Sequence, residues 1–164
     1  MPKRWVVNAS PIISLCNIDK GSLLIELCDE LLIPKGVAAE INRGTEDDPA
    51  KIWLQRYGRP YIKDVGPIET VLRAWDLGQG ETEVINWALT NSGWTPVLDD
   101  RAARNCVRSL NRRVLGTIGI ILIAKKVKKI QEVSPLLNQL NQIGFRISPN
   151  LIKQAIVLSG EKGG

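Results

Sequence analysis

The 164-residue sequence contains no histidine. That absence excludes nucleophilic machinery of the Ser-His-Asp and Cys-His kinds and removes the commonest zinc ligand. Cysteine is nearly absent too. Cys16, Cys28 and Cys106 are odd in number and lack metal-ligand spacing, so buried free thiols in a reducing compartment are expected rather than a disulfide framework. Long apolar runs are missing. The longest, Ile118 to Ala124, is far short of the roughly 20 residues a membrane span needs, and no charged-then-apolar leader opens the chain. The expectation is a soluble, cytoplasmic protein whose chemistry, if any, runs on carboxylates, Lys, Ser, Thr or Tyr with help from a hard cation.

What is present fits one domain, residues 1–160, with a frayed tail at 161–164. Charge is divided along the chain. Residues 1–100 carry ten Lys and Arg against fifteen Asp and Glu, a net of −5, and residues 101–164 carry twelve bases against two acids, a net of +10. Basic clusters at Arg101, Arg104, Arg108, Arg112 and Arg113, and at Lys125, Lys126, Lys128 and Lys129, point to a polyanion partner, although each alone also suits a solvated helix face.

Trp5-Val6-Val7 reads as a first buried strand, and Ser10-Pro11 as the cap and first position of a helix. A helix striped with Leu23, Leu24 and Leu27 follows, then a strand at Leu31-Leu32-Ile33 stopped by Pro34, then a helix over 35–43 carrying Glu40. Asp47-Asp48-Pro49 opens a helix with Ile52 and Trp53, residues 61–65 suit a strand, and Pro67 begins a helix through Trp75. After Gly78-Gln79-Gly80 a helix runs over 81–90. A strand at 95–98 ends on Asp99-Asp100, a basic helix follows, and residues 113–115 form a final strand before a helix capped by Thr117. Two more helices are expected near 134–143 and 149–158. Strands alternating with helices predict an α/β fold with a buried parallel sheet.

In such sheets, sites form at the carboxyl ends of strands. Asn8 and the pair Asp99-Asp100 follow predicted strands, and Glu40 and Glu81 lie on helices able to reach the same edge. Carboxylates gathered there repel one another unless a cation intervenes, and an oxygen-only donor set favours Mg²⁺ or Mn²⁺. Each residue also has a plainer role. Asp100 suits a helix cap, Asp99 and Asn8 suit turns, Glu81 suits a helix N-terminus, and Glu40 a solvated position. Glu83, two residues from Glu81, should face elsewhere, so one of the two points inward.

The order of these pieces carries more than any one of them. Asn8-Ala9-Ser10-Pro11, Val37-Ala38-Ala39-Glu40, Gly80-Glu81-Thr82-Glu83, Leu98-Asp99-Asp100-Arg101, Gly116-Thr117-Ile118-Gly119 and Ile143-Gly144-Phe145 through Pro149 together resemble the PIN-domain superfamily. The resemblance is to its PIN-like, predicted nucleic-acid-binding branch related to VapC-type toxins. It implies a Rossmann-like three-layer α/β/α sandwich with a parallel sheet of four or five strands. It further implies an acidic cluster that binds one or two Mg²⁺ or Mn²⁺ ions and cuts RNA. By motif, Glu40 matches the second acid, Glu81 or Glu83 the third, and Asp99 or Asp100 the last, with Ser10 matching the hydroxyl residue beside the first-strand ligand. Arg101, Arg104, Arg108, Arg112, Lys125 and Lys126 would hold the RNA backbone. Toxin relatives are commonly homodimers paired with an antitoxin.

This chain departs from the pattern at the first acid, where Asn8 stands in place of the usual Asp. An amide oxygen still ligates a metal but adds no charge, which lowers affinity and water activation. Two readings follow: a metal-dependent endoribonuclease, the toxin of a toxin–antitoxin pair, and a catalytically weakened module that binds RNA or a partner.

Overall fold

In the computed structural model, which describes residues 2–161, four short strands form a wholly parallel sheet. They are β1 (Arg4–Val7), β2 (Glu30–Pro34), β3 (Ile62–Lys63) and β4 (Trp94–Val97), in the spatial order β3-β2-β1-β4. Trp5 stands opposite Leu31 on one side and Thr95 on the other, and Ile33 pairs with Ile62. These strands are apolar runs rather than alternations. Trp5, Val6, Val7, Leu31, Leu32, Ile33 and Val97 are all buried, as a parallel sheet covered on both faces requires.

The connections are helical because a parallel pair cannot be joined by a tight turn. In chain order the helices are α1 (Ala9–Asn17), α2 (Leu23–Glu26), α3 (Lys35–Asn42), α4 (Pro49–Trp53), α5 (Thr70–Arg73) and α6 (Gln79–Thr90), which lie between strands, and α7 (Arg101–Ser109), α8 (Thr117–Lys126), α9 (Ser134–Gln142) and α10 (Pro149–Leu158), which follow β4. The expected α/β sandwich with a four-stranded parallel sheet is what the chain forms. Among the described residues no helix is long and apolar enough to cross a membrane.

Several local expectations are corrected by competing bonds. Ser10 does not cap α1. That helix starts at Ala9, Asn8 donates its backbone N–H to the Val97 carbonyl at 3.1 Å, and the Ser10 hydroxyl turns toward Asp99. Thr117 is the first residue of α8 rather than its cap, which is Gly116. The helix expected from Pro67 forms only over Thr70–Arg73, because the wholly buried Asn86 takes the backbone before it. Asn86 accepts from the Glu69 N–H at 2.9 Å and donates to the Pro67 carbonyl at 3.0 Å. The strand expected at 61–65 shrinks to Ile62–Lys63, and that at 113–115 to one parallel bridge between Leu115 and Val97. After α4 the chain tightens through a π turn at Leu54–Gly58 and a 3₁₀ turn at Arg59–Tyr61. Glu161, expected in the frayed tail, is tied to the backbone N–H groups of Val133 and Ser134 and to Lys125; residues 162–164 lie outside the described residues.

The strand order places one crevice at the sheet's edge. The chain steps outward from β1 to β2 and β3, then returns to the far side of β1 as β4. The crevice where that direction reverses, between the carboxyl ends of β1 and β4, is where open α/β sheets hold ligands.

Candidate active site

At that crevice lies a cavity of about 380 Å³ lined by Asn8, Ser10, Glu40, Gly78, Gly80, Glu81, Asp99 and Asp100. Asn8 comes directly after β1, and Asp99 and Asp100 come after β4. Glu40 stands on the later part of α3, which follows β2, and Glu81 on the first turn of α6. Four separate segments therefore deliver four acids and one amide to one place.

Glu81 has the most constrained environment. Its Oε2 is buried and meets no hydrogen-bond donor among the described residues. Burial first, then the charge of Asp100 and a hydrogen bond shared with it, and less so Glu40, push its carboxyl above the usual glutamate value of 4.5. The Gly78 backbone N–H pulls the other way. Gly78 is the cap of α6 and Glu81 its third residue, the arrangement in which a glutamate reaches back over its own helix start. Gly80 lets this turn approach β1, since a Cβ there would stand 3.3 Å from Asn8 Oδ1 and 3.2 Å from Val37. Gly78-Gln79-Gly80 is thus more than a break before Glu81. The helix in fact starts two residues before Glu81, and the Gly-x-Gly-Glu spacing was the available signal.

The two aspartates differ. Asp99 is engaged three times: it accepts from the Thr117 N–H at 2.8 Å, the Thr117 hydroxyl at 2.6 Å and the Ser10 hydroxyl at 3.3 Å. Thr117 is wholly buried, so Asp99 fixes the start of α8 against α1. Asp100 caps α7 through Oδ2, which accepts the Ala103 N–H at 3.0 Å, and is itself exposed.

Glu83 lies elsewhere. Two residues along a helix is a rotation of about 200°, which turns it away from Glu81. It is 8% exposed, and its Oε1 accepts the Gly36 N–H at 2.9 Å, joining α6 to the start of α3. Among the basic residues, Arg101, Arg108, Arg112 and Lys126 are exposed. Arg104 instead donates to the Leu98 carbonyl at 2.9 Å, and Lys125 to the Gln131 carbonyl and Glu161. Cys16 and Cys106 are buried and Cys28 is half-buried; burial chiefly drives the Cys16 and Cys28 thiols up to about 12, which leaves them unreactive.

The donors at the cavity are oxygens without exception, which suits a hard divalent cation. Among the described residues no three acids stand close enough together to hold a metal ion by themselves. Mg²⁺ does not need three, because it keeps several waters and is held through one or two carboxylates plus substrate phosphate. The unpartnered Glu81 oxygen beside Asp100 and Glu40 fits that demand.

No curated protein and no solved structure matches the sequence. A family model described as PIN domain matches residues 4–161, nearly the whole chain. With that match and its wholly parallel sheet, the chain belongs to the PIN-domain family, whose fold is of the nuclease type.

Proposed function

We propose that the protein is a metal-dependent endoribonuclease acting at the cavity between Asn8, Glu40, Glu81 and Asp100. The observation that carries this reading is Glu81: a buried, unpartnered carboxylate oxygen beside two more acids is costly alone and useful to a cation. Two of Glu40, Glu81 and Asp100 would hold Mg²⁺ or Mn²⁺ together with water and substrate phosphate, with the third acid and the Asn8 amide oxygen bonding the waters around the ion. Bound there, the ion would polarise a phosphoryl oxygen and ease loss of a proton from water. Asp99, held by Thr117 and Ser10, keeps the turn after β4 fixed so that Asp100 is presented from a rigid helix start. The exposed Arg101, Arg108, Arg112 and Lys126 would hold the RNA backbone. A toxin role, a homodimer and an antitoxin partner are what the resemblance to VapC-type proteins adds to this reading.

Asn8 favours a second reading, a PIN domain that binds RNA or a partner without cutting. The two separate in one experiment with Mn²⁺ and a mixture of single-stranded and structured RNA. Wild type is expected to cut, EDTA to stop it, and Asp100→Asn to slow it about 100-fold. Cleavage by Asn8→Asp alone establishes the second reading, and metal-independent cleavage contradicts the first.

A further inference from the structure

A larger cavity, about 660 Å³, backs onto the acid-lined one. Ala39 and Gln79 face it while their chain neighbours Glu40, Gly78 and Gly80 face the other, so α3 and the start of α6 form a shared wall. Adjacent residues lie only about 3.8 Å apart, which puts the two spaces within a nucleotide's reach of each other. Val65, Ile68, Leu72 and Leu77 make its apolar side. That side is preformed, because the buried Asn86 bonds the backbone of Pro67 and Glu69 and so ties the loop to α6.

Into this space opens Glu83, the buried carboxylate that the acid cluster does not use. Its Oε1 holds the Gly36 N–H, and no donor among the described residues bonds Oε2. Gly36 makes room for it: a Cβ there would lie 2.2 Å from Oε2. That second oxygen is open to the cavity rather than sealed in the fold, so it accepts from water when the space is empty and can accept from a ligand donor that displaces that water. Lys35 and Arg73, both exposed, also border the cavity. Asp64 and Asp76 border it as well and repel phosphate from the interior, so the base end of a nucleotide is the end that enters. An apolar wall for a flat ring with one carboxylate acceptor is how single-stranded bases are read.

Among bases, guanine matches best. Its N1–H and N2–H donors are adjacent and span a carboxylate, and Oε1 retains a lone pair beyond the Gly36 bond. Uracil offers one N–H between two carbonyl oxygens, which the carboxylate repels. We propose that this cavity seats a guanine of the RNA strand whose backbone crosses the acid site, with Glu83 as the specificity-determining acceptor. The proposal rests on reading that neighbouring site as one that takes RNA.

The test needs no cleavage. Guanosine, inosine and uridine 5′-monophosphates are titrated into the full-length protein in EDTA, following the backbone amide NMR signals of Gly36 and Thr82. Wild type is expected to bind the guanosine nucleotide at least about tenfold more tightly than the uridine one, the discrimination of one bidentate base contact. Inosine, which lacks the 2-amino group, should bind more weakly than guanosine. Glu83→Gln keeps an oxygen for the Gly36 N–H but turns the second oxygen into a donor, so it should fold and lose the preference. Glu81→Gln should retain it. Equal binding of guanosine and inosine nucleotides by wild type, or a guanosine preference that survives Glu83→Gln, overturns the proposal. RNA that binds but is never cut counts against the nuclease reading and leaves this preference intact.

Discussion

Asp99 and Asp100 are neighbours in sequence with unequal duties. Asp99 satisfies the buried Thr117 twice, so Asp99→Ala leaves polar groups unpaired and should destabilise by about 2–3 kcal/mol. Asp100→Ala removes one cap bond and should lose about 1 kcal/mol, as urea denaturation of both variants will check. Glu81 makes the opposite prediction. Its folded pKa is raised above 4.5, so the folded chain binds this proton more tightly than the unfolded chain. Its contribution favours folding below about pH 4.5 and is lost as pH rises through the folded value. Without divalent ions, thermal melts of Glu81→Gln should therefore exceed those of wild type at neutral pH, with the gap closing toward pH 4. That acids would gather here was legible from their positions after strands and on helix turns. Which aspartate is bound up was not, because the deciding partners, Ser10 and Thr117, are distant in sequence and each has the local pattern of a helix cap.

At the scale of elements, α3 and α6 matter most, since one carries Glu40 and the other Glu81. Their separation is set where Glu83 of α6 bonds Gly36 of α3. Gly36→Ala should destabilise by about 1–3 kcal/mol by driving a Cβ into Glu83 Oε2. In a Glu83→Ala background the same change should be neutral or stabilising, since alanine is the better helix former. Additive effects in that double-mutant cycle would refute the contact as the spacer. Helix starts with a local signature were legible. Asp48 accepts from the Ala50 N–H and Ser148 from the Leu151 N–H, each directly before a proline. Elements shaped by remote bonds were not. Asn86 shortens the helix expected at Pro67 from nearly twenty residues away, and no local pattern announces it.

For the molecule as a whole, the division into an acidic front and a basic back was plain from the sequence, and the parallel sheet followed from its apolar strands. The structure adds which bases are free. Arg101, Arg108, Arg112 and Lys126 are exposed, whereas Arg104 and Lys125 hold carbonyls of the fold. Each exposed position changed to Gln should lower the salt dependence of single-stranded RNA binding by about 0.7 in log–log slope. Arg104→Gln should instead show chiefly as lost stability. The most direct measurement of the account's central claim is a Mn²⁺ titration followed by the electron paramagnetic resonance signal of the free ion. Wild type should deplete that signal saturably, and Glu81→Gln should weaken binding at least about tenfold. A wild-type protein that leaves the signal undiminished, or a Glu81→Gln variant that binds as tightly, would contradict a metal site in the acid-lined cavity.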